Sequence, residues 1–204
     1  MIRIIGTHHF MKREEIEKEI DNYKPDIILL ELCKGRIFLI DNPTKEVKNY
    51  SLLGLIARAV KKKGTTGNVE YGNDMVSAYK IAKERNIKVG LIDRPIVETQ
   101  ILFKAIPLKE KIKLFKQLLK FSSKKTKVEG IINEVNNNAV QDIVDKLKIE
   151  LPNLHYFLIK SRDEYIIAKT KGYIYDYTNK KIIAFVGKGH LKTLEESLKG
   201  GQND

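Results

Sequence analysis

Four short apolar runs alternate with longer amphipathic stretches along the chain. The runs are MIRIIG (residues 1–6), DIILLELC (26–33), IKVGLIDRP (87–95) and KKIIAFVG (180–187). They are rich in isoleucine, leucine and valine and are bounded by glycine, proline or charge, which is typical of strands. The second run is apolar on both faces, as in a parallel sheet covered on both sides by helices. The pattern predicts an α/β fold with a mainly parallel central sheet flanked by helices.

Helical periodicity dominates the stretches between these runs. We predict helices over residues 12–23, 50–64, 74–86, 108–121, 127–151, 151–174 and 189–200. Residues 64–73 hold three glycines and no apolar period, so they are predicted to form a loop. No strand is predicted between residues 96 and 150. We interpret this block as a helical insertion into a single domain spanning residues 1–204.

The chain is strongly basic, with 38 Lys and Arg residues against 26 Asp and Glu residues and a net charge of +12. Within the insertion, the stretch from Lys104 to Lys127 has nine lysines and one acid, Glu110. Such a block is typical of a solvated helical surface, with a partner surface as the alternative. Basic and aromatic residues do not interleave as in base-stacking surfaces, so we do not expect a nucleic-acid partner.

Cysteine content and hydropathy indicate the compartment. A single cysteine, Cys33, excludes an internal disulfide and favours a reducing environment. No apolar run approaches the about 20 residues of a membrane-spanning helix, and the opening segment lacks the pattern of a secretory signal. We therefore expect no transmembrane segment and a cytoplasmic location.

Side chains suited to chemistry lie at or just after the ends of all four apolar runs. They are His9 after the first run, Glu31 in the second, Asp93 and Arg94 in the third, and His190 after the fourth. Because the carboxyl ends of parallel strands meet at one edge of a sheet, we expect these groups to gather there. Two imidazoles and a carboxylate suit zinc, manganese, cobalt or iron. Three glycines, Gly6, Gly187 and Gly189, are expected to let a bound group or another backbone approach closely.

These residues also have structural interpretations. Glu31 and the Asp93–Arg94 pair are types that form ordinary ion pairs and turns. The GKGH stretch at residues 187–190 suits a phosphate-binding nest at a helix N-terminus, although it lacks the Lys-Ser/Thr ending of a full phosphate loop. His155 lies in the middle of a predicted helix and is interpreted as non-catalytic. The residues alone leave these alternatives open.

Six stretches, in order, resemble the motifs of the TraB family, which groups with the Tiki proteins and, more distantly, the erythromycin esterase superfamily. They are IIGTHHF, PDIILLELCKGR, YGNDMVSAYKIA, VGLIDRPIVETQ, LIKSRDEYI and FVGKGHLKTLEESL, and they cover nearly the whole chain. The matched motif positions are His9, Glu31, Arg36, Asp93, Arg94, Arg162, Asp163, Tyr165, Gly189 and His190. Asp74 and Ser161 stand where these motifs usually have glutamate.

The resemblance implies a metal-dependent peptidase that uses the two Gly-x-x-His histidines and an acid. His9 and His190 would bind the divalent metal, which would be manganese, cobalt or zinc, with Glu31 as a third ligand or as the general base on a bound water. Three arginines, Arg36, Arg94 and Arg162, are expected to hold a carboxylate or a developing oxyanion. Asp93 is expected to orient a histidine from the second layer around the metal.

A non-catalytic binding or signalling module is the alternative function, holding an anion, a haem or a peptide at the same strand ends. The expected partner in either case is a peptide or a small anionic substrate. A homodimer is also expected, because the insertion carries an apolar stripe that must be buried on the domain or on a second copy. The stripe includes Ile112, Phe115, Leu118 and Leu119.

Overall fold

A four-stranded parallel sheet forms the centre of the molecule. The computed structural model describes residues 1–7, 11–42, 73–123, 145 and 147–199. Its strands are β1 (Ile2–Thr7), β2 (Ile27–Leu30), β3 (Lys88–Leu91) and β4 (Ile182–Gly187). They lie in the order β1-β4-β2-β3, and every neighbouring pair is parallel. The predicted α/β fold with a mainly parallel sheet is confirmed.

The second and third strands are shorter than the apolar runs that predicted them. Each has four residues, because the backbone leaves the sheet where polar residues begin, at Glu31 and near Asp93. The two segments still run side by side for a short distance: Ile92 N–H donates to the Leu30 carbonyl at 3.0 Å, and Asp93 N–H donates to the Leu32 carbonyl at 3.2 Å. The acidic side chains after both strands are therefore delivered to the same edge.

Helices surround the sheet. They are α1 (Arg13–Tyr23), α2 (Lys34–Asp41), α3 (Asn73–Glu84), α4 (Ile96–Ala105), α5 (Leu108–Ser123), α6 (Pro152–His155), α7 (Ser161–Asp176) and α8 (Lys188–Lys199), with a π-helical turn at Tyr156–Lys160. The π-helical turn interrupts the single helix predicted over residues 151–174. The predicted helix at 50–64, and most of the one at 127–151, lie outside the described residues. None of the helices in the described ranges is long and apolar enough to cross a bilayer.

Alternation along the strands builds two cores, one on each face of the sheet. The face covered by α1 and α3 contains Ile28, Leu30, Ile183 and Phe185, together with Ile16 and Ile81 from the helices. The face covered by α7 and α8 contains Ile27, Leu29, Ile182, Ala184 and Val186, together with Ile166 and Leu194. All six residues of β4 are buried. The strand is apolar on both faces because helices cover both faces of the sheet.

The described part of the insertion is helical, as predicted, and has its own small cluster. Phe103 and Ile106 pack with Leu151 and Leu154. Glu110, the acid among the lysines, accepts hydrogen bonds from the Leu154 N–H at 3.0 Å and from the Asn153 side-chain amide at 2.7 Å. This carboxylate satisfies backbone donors in the first turn of α6 and thereby attaches α5 to it.

The predicted apolar stripe on α5 is only partly described. Ile112 is exposed, whereas Phe115, Leu118 and Leu119 have side chains outside the described part of the helix. The homodimer therefore remains a prediction.

Candidate functional site

The carboxyl ends of β2 and β4 are joined by Glu31, which lies directly after β2. Its Oε2 atom accepts a hydrogen bond from the Gly187 N–H at 2.6 Å, and its own N–H donates to the Phe185 carbonyl at 3.2 Å. The carboxylate is almost completely buried. A buried carboxylate needs donors and positive charge around it, and the remaining residues of the site supply them.

Arg162, near the start of α7, bridges the two acids that follow β2 and β3. Its Nε and Nη2 atoms donate to the two oxygens of Asp93 at 2.7 and 2.9 Å, and Nη2 also donates to Glu31 Oε1 at 2.5 Å. The planar fork of a guanidinium matches a carboxylate in this two-bond geometry. The structure thus brings together three of the predicted site residues.

The charge state of Asp93 follows from this bridge. Burial by itself raises the pKa of Asp93, but the hydrogen bonds and charge of Arg162, the charge of Arg36 and the Arg94 N–H outweigh it. The net pKa of Asp93 lies below its ordinary value. Asp93 therefore remains an ionised partner of the arginines at neutral pH rather than a proton carrier.

His190 is buried in the first turn of α8, and its nearest carboxylate is Asp163. The Nδ1 atom lies 2.5 Å from Asp163 Oδ1, within hydrogen-bond distance, and an ionised carboxylate there accepts an Nδ1 proton. We expected Asp93 to orient a histidine, but for His190 the structure places Asp163 in that role, while Asp93 contacts arginines. The correction arises because Arg162 and Asp163 are adjacent on α7: one reaches the acids at the strand ends and the other reaches α8.

The second nitrogen of His190 faces Glu31. His190 Nε2 lies 3.6 Å from Glu31 Oε1, which is too far for a hydrogen bond. An imidazole whose single proton lies on Nδ1 presents the Nε2 lone pair to this carboxylate oxygen, whereas an imidazolium directs an N–H toward it. Two hydrogen-bond acceptors that face each other repel, and a cation between or beside them offsets this repulsion.

The fit to a metal ion rests on this pair of atoms. Two ligand atoms at about 2.0–2.2 Å from one ion in tetrahedral geometry lie about 3.4 Å apart, close to the observed separation. Arg162 already occupies one lone pair of Glu31 Oε1, but a carboxylate oxygen has a second. No group of three His, Cys, Asp or Glu side chains suited to a metal occurs among the described residues. His9, the predicted third ligand, lies outside them.

Arg94 has a different contact set from the one predicted. It is buried, and its guanidinium donates to the backbone carbonyls of Ser161 and Phe157, the latter at 3.5 Å. These carbonyls belong to the π-helical turn and the first residue of α7, directly before Arg162. We expected Arg94 to hold a substrate carboxylate or an oxyanion. Two of its donors fix the turn that presents Arg162 and Asp163, and π-helical turns often occur at functional sites. A contact of Arg94 with substrate stays a prediction.

Arg36, in the first turn of α2, is the most exposed of the three predicted arginines. Its side chain is 45% exposed, compared with 22% for Arg162. Its Nη1 atom lies 3.4 Å from Asp93 Oδ2. Arg36 therefore stands at the solvent side of the buried charged cluster.

The three glycines of the site have distinct positions. A Cβ atom on Gly6 would lie 2.5 Å from the Leu191 Cδ2 atom, so the missing side chain makes room for α8 against β1. Gly187 uses its N–H to bind Glu31, and Gly189 lies in the first turn of α8. Contact with a cofactor remains a prediction for all three.

Asp163 is the residue whose role the sequence did not reveal. It appeared only as a matched position in the motif around Arg162, without a role. Helical spacing places Asp163 beside Arg162 but does not indicate which neighbouring element it meets. The sequence signal for such a role was the Arg162–Asp163 pair itself. Adjacent opposite charges at the start of a helix stay in solvent unless each has a buried partner of its own.

Comparison of the chain with protein-family models and with curated proteins produced no match. The resemblance to the TraB family therefore rests on the six sequence motifs and remains a prediction.

Proposed function

We propose that the protein is a metal-dependent hydrolase of the TraB/Tiki type that acts on a peptide. The observation that supports this proposal is the pair formed by His190 Nε2 and Glu31 Oε1, 3.6 Å apart and both buried. A carboxylate on the opposite ring nitrogen is the usual partner of a metal-binding histidine, because it fixes the tautomer and makes the free nitrogen more basic. Asp163 provides that carboxylate to His190.

In this proposal His190 and Glu31 hold a divalent ion, manganese, cobalt or zinc, with His9 as the predicted third ligand. Such an ion supplies a water molecule whose pKa is lowered to about 7, so that hydroxide is available near neutral pH. Histidine nitrogen and carboxylate oxygen are a suitable ligand set for these metals.

The other residues of the cluster prepare these two ligands. Asp163 holds the imidazole in the tautomer that leaves Nε2 free, and Arg162 fixes the orientation of the Glu31 carboxylate. Arg162 also pairs with Asp93, which would otherwise depend on the Arg36 contact at 3.4 Å. Both ligand side chains are buried and already held in place. Little conformational entropy is therefore lost in positioning them when substrate binds.

A non-catalytic binding module is the second candidate, and one observation favours it. The charges of the cluster already pair with one another, since Arg162 contacts both Glu31 and Asp93. Structural ion-pair networks have the same appearance. In that case the same strand ends would hold an anion, a haem or a peptide end without turnover.

Metal content and peptide hydrolysis separate the two candidates. The protein is stripped with a chelator, reloaded in turn with manganese, cobalt and zinc, and analysed by mass spectrometry for bound metal. Hydrolysis of a mixed-sequence peptide library by each metal-loaded sample is then measured. The variants are His190→Ala and Glu31→Gln, and the matched control is His155→Ala, because His155 is partly buried but outside the cluster.

We expect about one metal ion per chain in the wild type and in His155→Ala, and loss of metal and hydrolysis in both site variants. Retention of the metal in His190→Ala would contradict the proposed ligand set. Stoichiometric binding of a peptide without metal and without cleavage would favour the binding module.

A further inference from the structure

The three arginines of the cluster differ in whether their donors are already used. Arg94 donates to two backbone carbonyls, and Arg162 donates to two carboxylates. Arg36 makes one contact at marginal distance, 3.4 Å, and its other donors have no partner among the described residues. Arg36 is therefore the member of this set that is available to a ligand from solvent.

Asp93 has several hydrogen-bond donors besides Arg36. Its two oxygens already accept hydrogen bonds from Arg162 at 2.7 and 2.9 Å, and Oδ1 also accepts the Arg94 N–H at 2.8 Å. The first turn of α2 contains Lys34 and no acid, so this turn provides no counter-charge for Arg36. Arg162 is shared between Glu31 and Asp93, so Arg36 supplies the second positive charge beside these two carboxylates, and it does so through one Nη1 contact at 3.4 Å from the solvent side.

We propose that Arg36 binds a carboxylate group of the substrate, so that the site selects peptides carrying a free carboxylate. This inference rests on the proposed peptide-hydrolase function and names the substrate class of the same site. A guanidinium binds a planar carboxylate through two parallel hydrogen bonds. Asp93, only 3.4 Å from Arg36, repels a doubly charged phosphate more strongly than a singly charged carboxylate.

The position of Arg36 connects this subsite with the proposed chemistry. Arg36 contacts Asp93, Asp93 contacts Arg162, and Arg162 contacts Glu31 beside His190. A peptide whose carboxylate rests on Arg36 therefore has its neighbouring amide groups at the edge of the same cluster. The carboxylate can be supplied by a peptide C-terminus or by an acidic side chain, and the experiment distinguishes these sources.

The test uses an N-acetylated hexapeptide library in four versions. The C-terminus is either a free acid or an amide, and one fixed internal position is either Glu or Gln. Binding is measured by retention of each version on the protein, detected by mass spectrometry, and cleavage is measured separately on the metal-loaded protein. The variants are Arg36→Gln and Arg36→Lys, with Lys34→Gln as the control in the same turn.

We expect the wild type and Lys34→Gln to retain one carboxylate-bearing version about tenfold more than its neutral counterpart, as a charge-assisted contact predicts. Arg36→Gln should reduce this ratio to near one, and Arg36→Lys should restore part of it. Because the readout is a ratio within one protein, partial loss of fold does not imitate the effect.

Equal retention of acid and neutral peptides by the wild type, or an unchanged ratio in Arg36→Gln, would overturn the inference. A ratio that depends on Arg36 without any cleavage would uphold the carboxylate subsite and contradict the hydrolase. The source is assigned by which pair, free acid against amide or Glu against Gln, shows the preference.

Discussion

Replacement of Arg162 by methionine tests the physical basis of the charged cluster. Methionine keeps much of the length and apolar volume of arginine but removes the guanidinium. Glu31 and Asp93 would then be buried without their common cation. Each would keep only its backbone donor, from Gly187 and Arg94 respectively, and for Asp93 the distant Arg36 contact.

The size of the effect follows from burial. Removing one partner of a buried ion pair costs about 3–5 kcal/mol, because the remaining charge is left in a poorly solvating environment. The Arg162 side chain is 22% exposed, so water screens part of the interaction, and we expect the lower end of that range, about 3 kcal/mol. This is a large fraction of the about 5–15 kcal/mol that stabilises a typical domain.

The pH dependence of the free energy of unfolding provides a second, independent test of Arg162. In the wild type the pKa of Asp93 is lowered, so its ion pairs stabilise the fold fully above the unfolded pKa and lose this effect as the pH falls through the folded pKa. In Arg162→Met, burial without the guanidinium raises the pKa of Asp93. Protonation then relieves the buried charge, and the deficit of the variant relative to the wild type shrinks as the pH falls.

Urea unfolding at about pH 7.5 and about pH 5 measures both effects. The control is Arg85→Met, which removes an arginine from an ion pair at the surface with Asp21. We expect the midpoint of Arg162→Met to fall by about 1–3 M urea at the higher pH, by less at the lower pH, and the control midpoint to change little. A deficit as small as that of the control, or one that does not depend on pH, would refute the view that Arg162 makes burial of the two acids tolerable.

Three further substitutions test other parts of the structure. Arg94→Leu leaves two carbonyls at the π-helical turn without a donor and should cost about 2–4 kcal/mol in urea unfolding; the NMR signals of the His190 ring should also shift, and unchanged signals would contradict a positioning role. Gly6→Val should destabilise by about 1–3 kcal/mol through overlap with α8, and a second change, Leu191→Ala, should recover part of the loss in thermal unfolding; no recovery would place the strain elsewhere. Glu110→Ala should remove about 1 kcal/mol by uncapping α6, seen as faster hydrogen exchange of its first amides, and unchanged exchange would show that the cap is dispensable.

The pattern of apolar runs was sufficient to predict the sheet, because covered parallel strands must be apolar on both faces and short. It also predicted that Glu31, Asp93 and His190 would meet, since parallel strands deliver their ends to one edge. It did not predict which carboxylate meets His190. That choice depends on the π-helical turn before Arg162 and Asp163, which alters the helical register by one residue. Hydrophobic periodicity does not resolve a change of that size.

The backbone contacts of Arg94 were not predicted for a related reason. A guanidinium near acids suggests substrate binding from sequence, and two donors of Arg94 also bind carbonyls at the irregular turn. Whether an arginine faces solvent or a backbone carbonyl depends on three-dimensional packing across about 60 residues of chain, which local spacing does not encode.

The position of β4 in the sheet affects how the chain folds during its synthesis. β4 is the last of the four described strands to be made but lies between β1 and β2, and it pairs with β1 over residues 182–187 and with β2 over residues 182–185. Until residues 182–187 leave the ribosome, β1 and β2 lack the strand that pairs between them. The isoleucines of these two strands are then without the β4 residues that bury them. Formation of the sheet must therefore wait for contacts between distant parts of the chain, which slows folding and exposes nascent chains to aggregation. A chaperone that covers these isoleucines would have its strongest influence before β4 is translated.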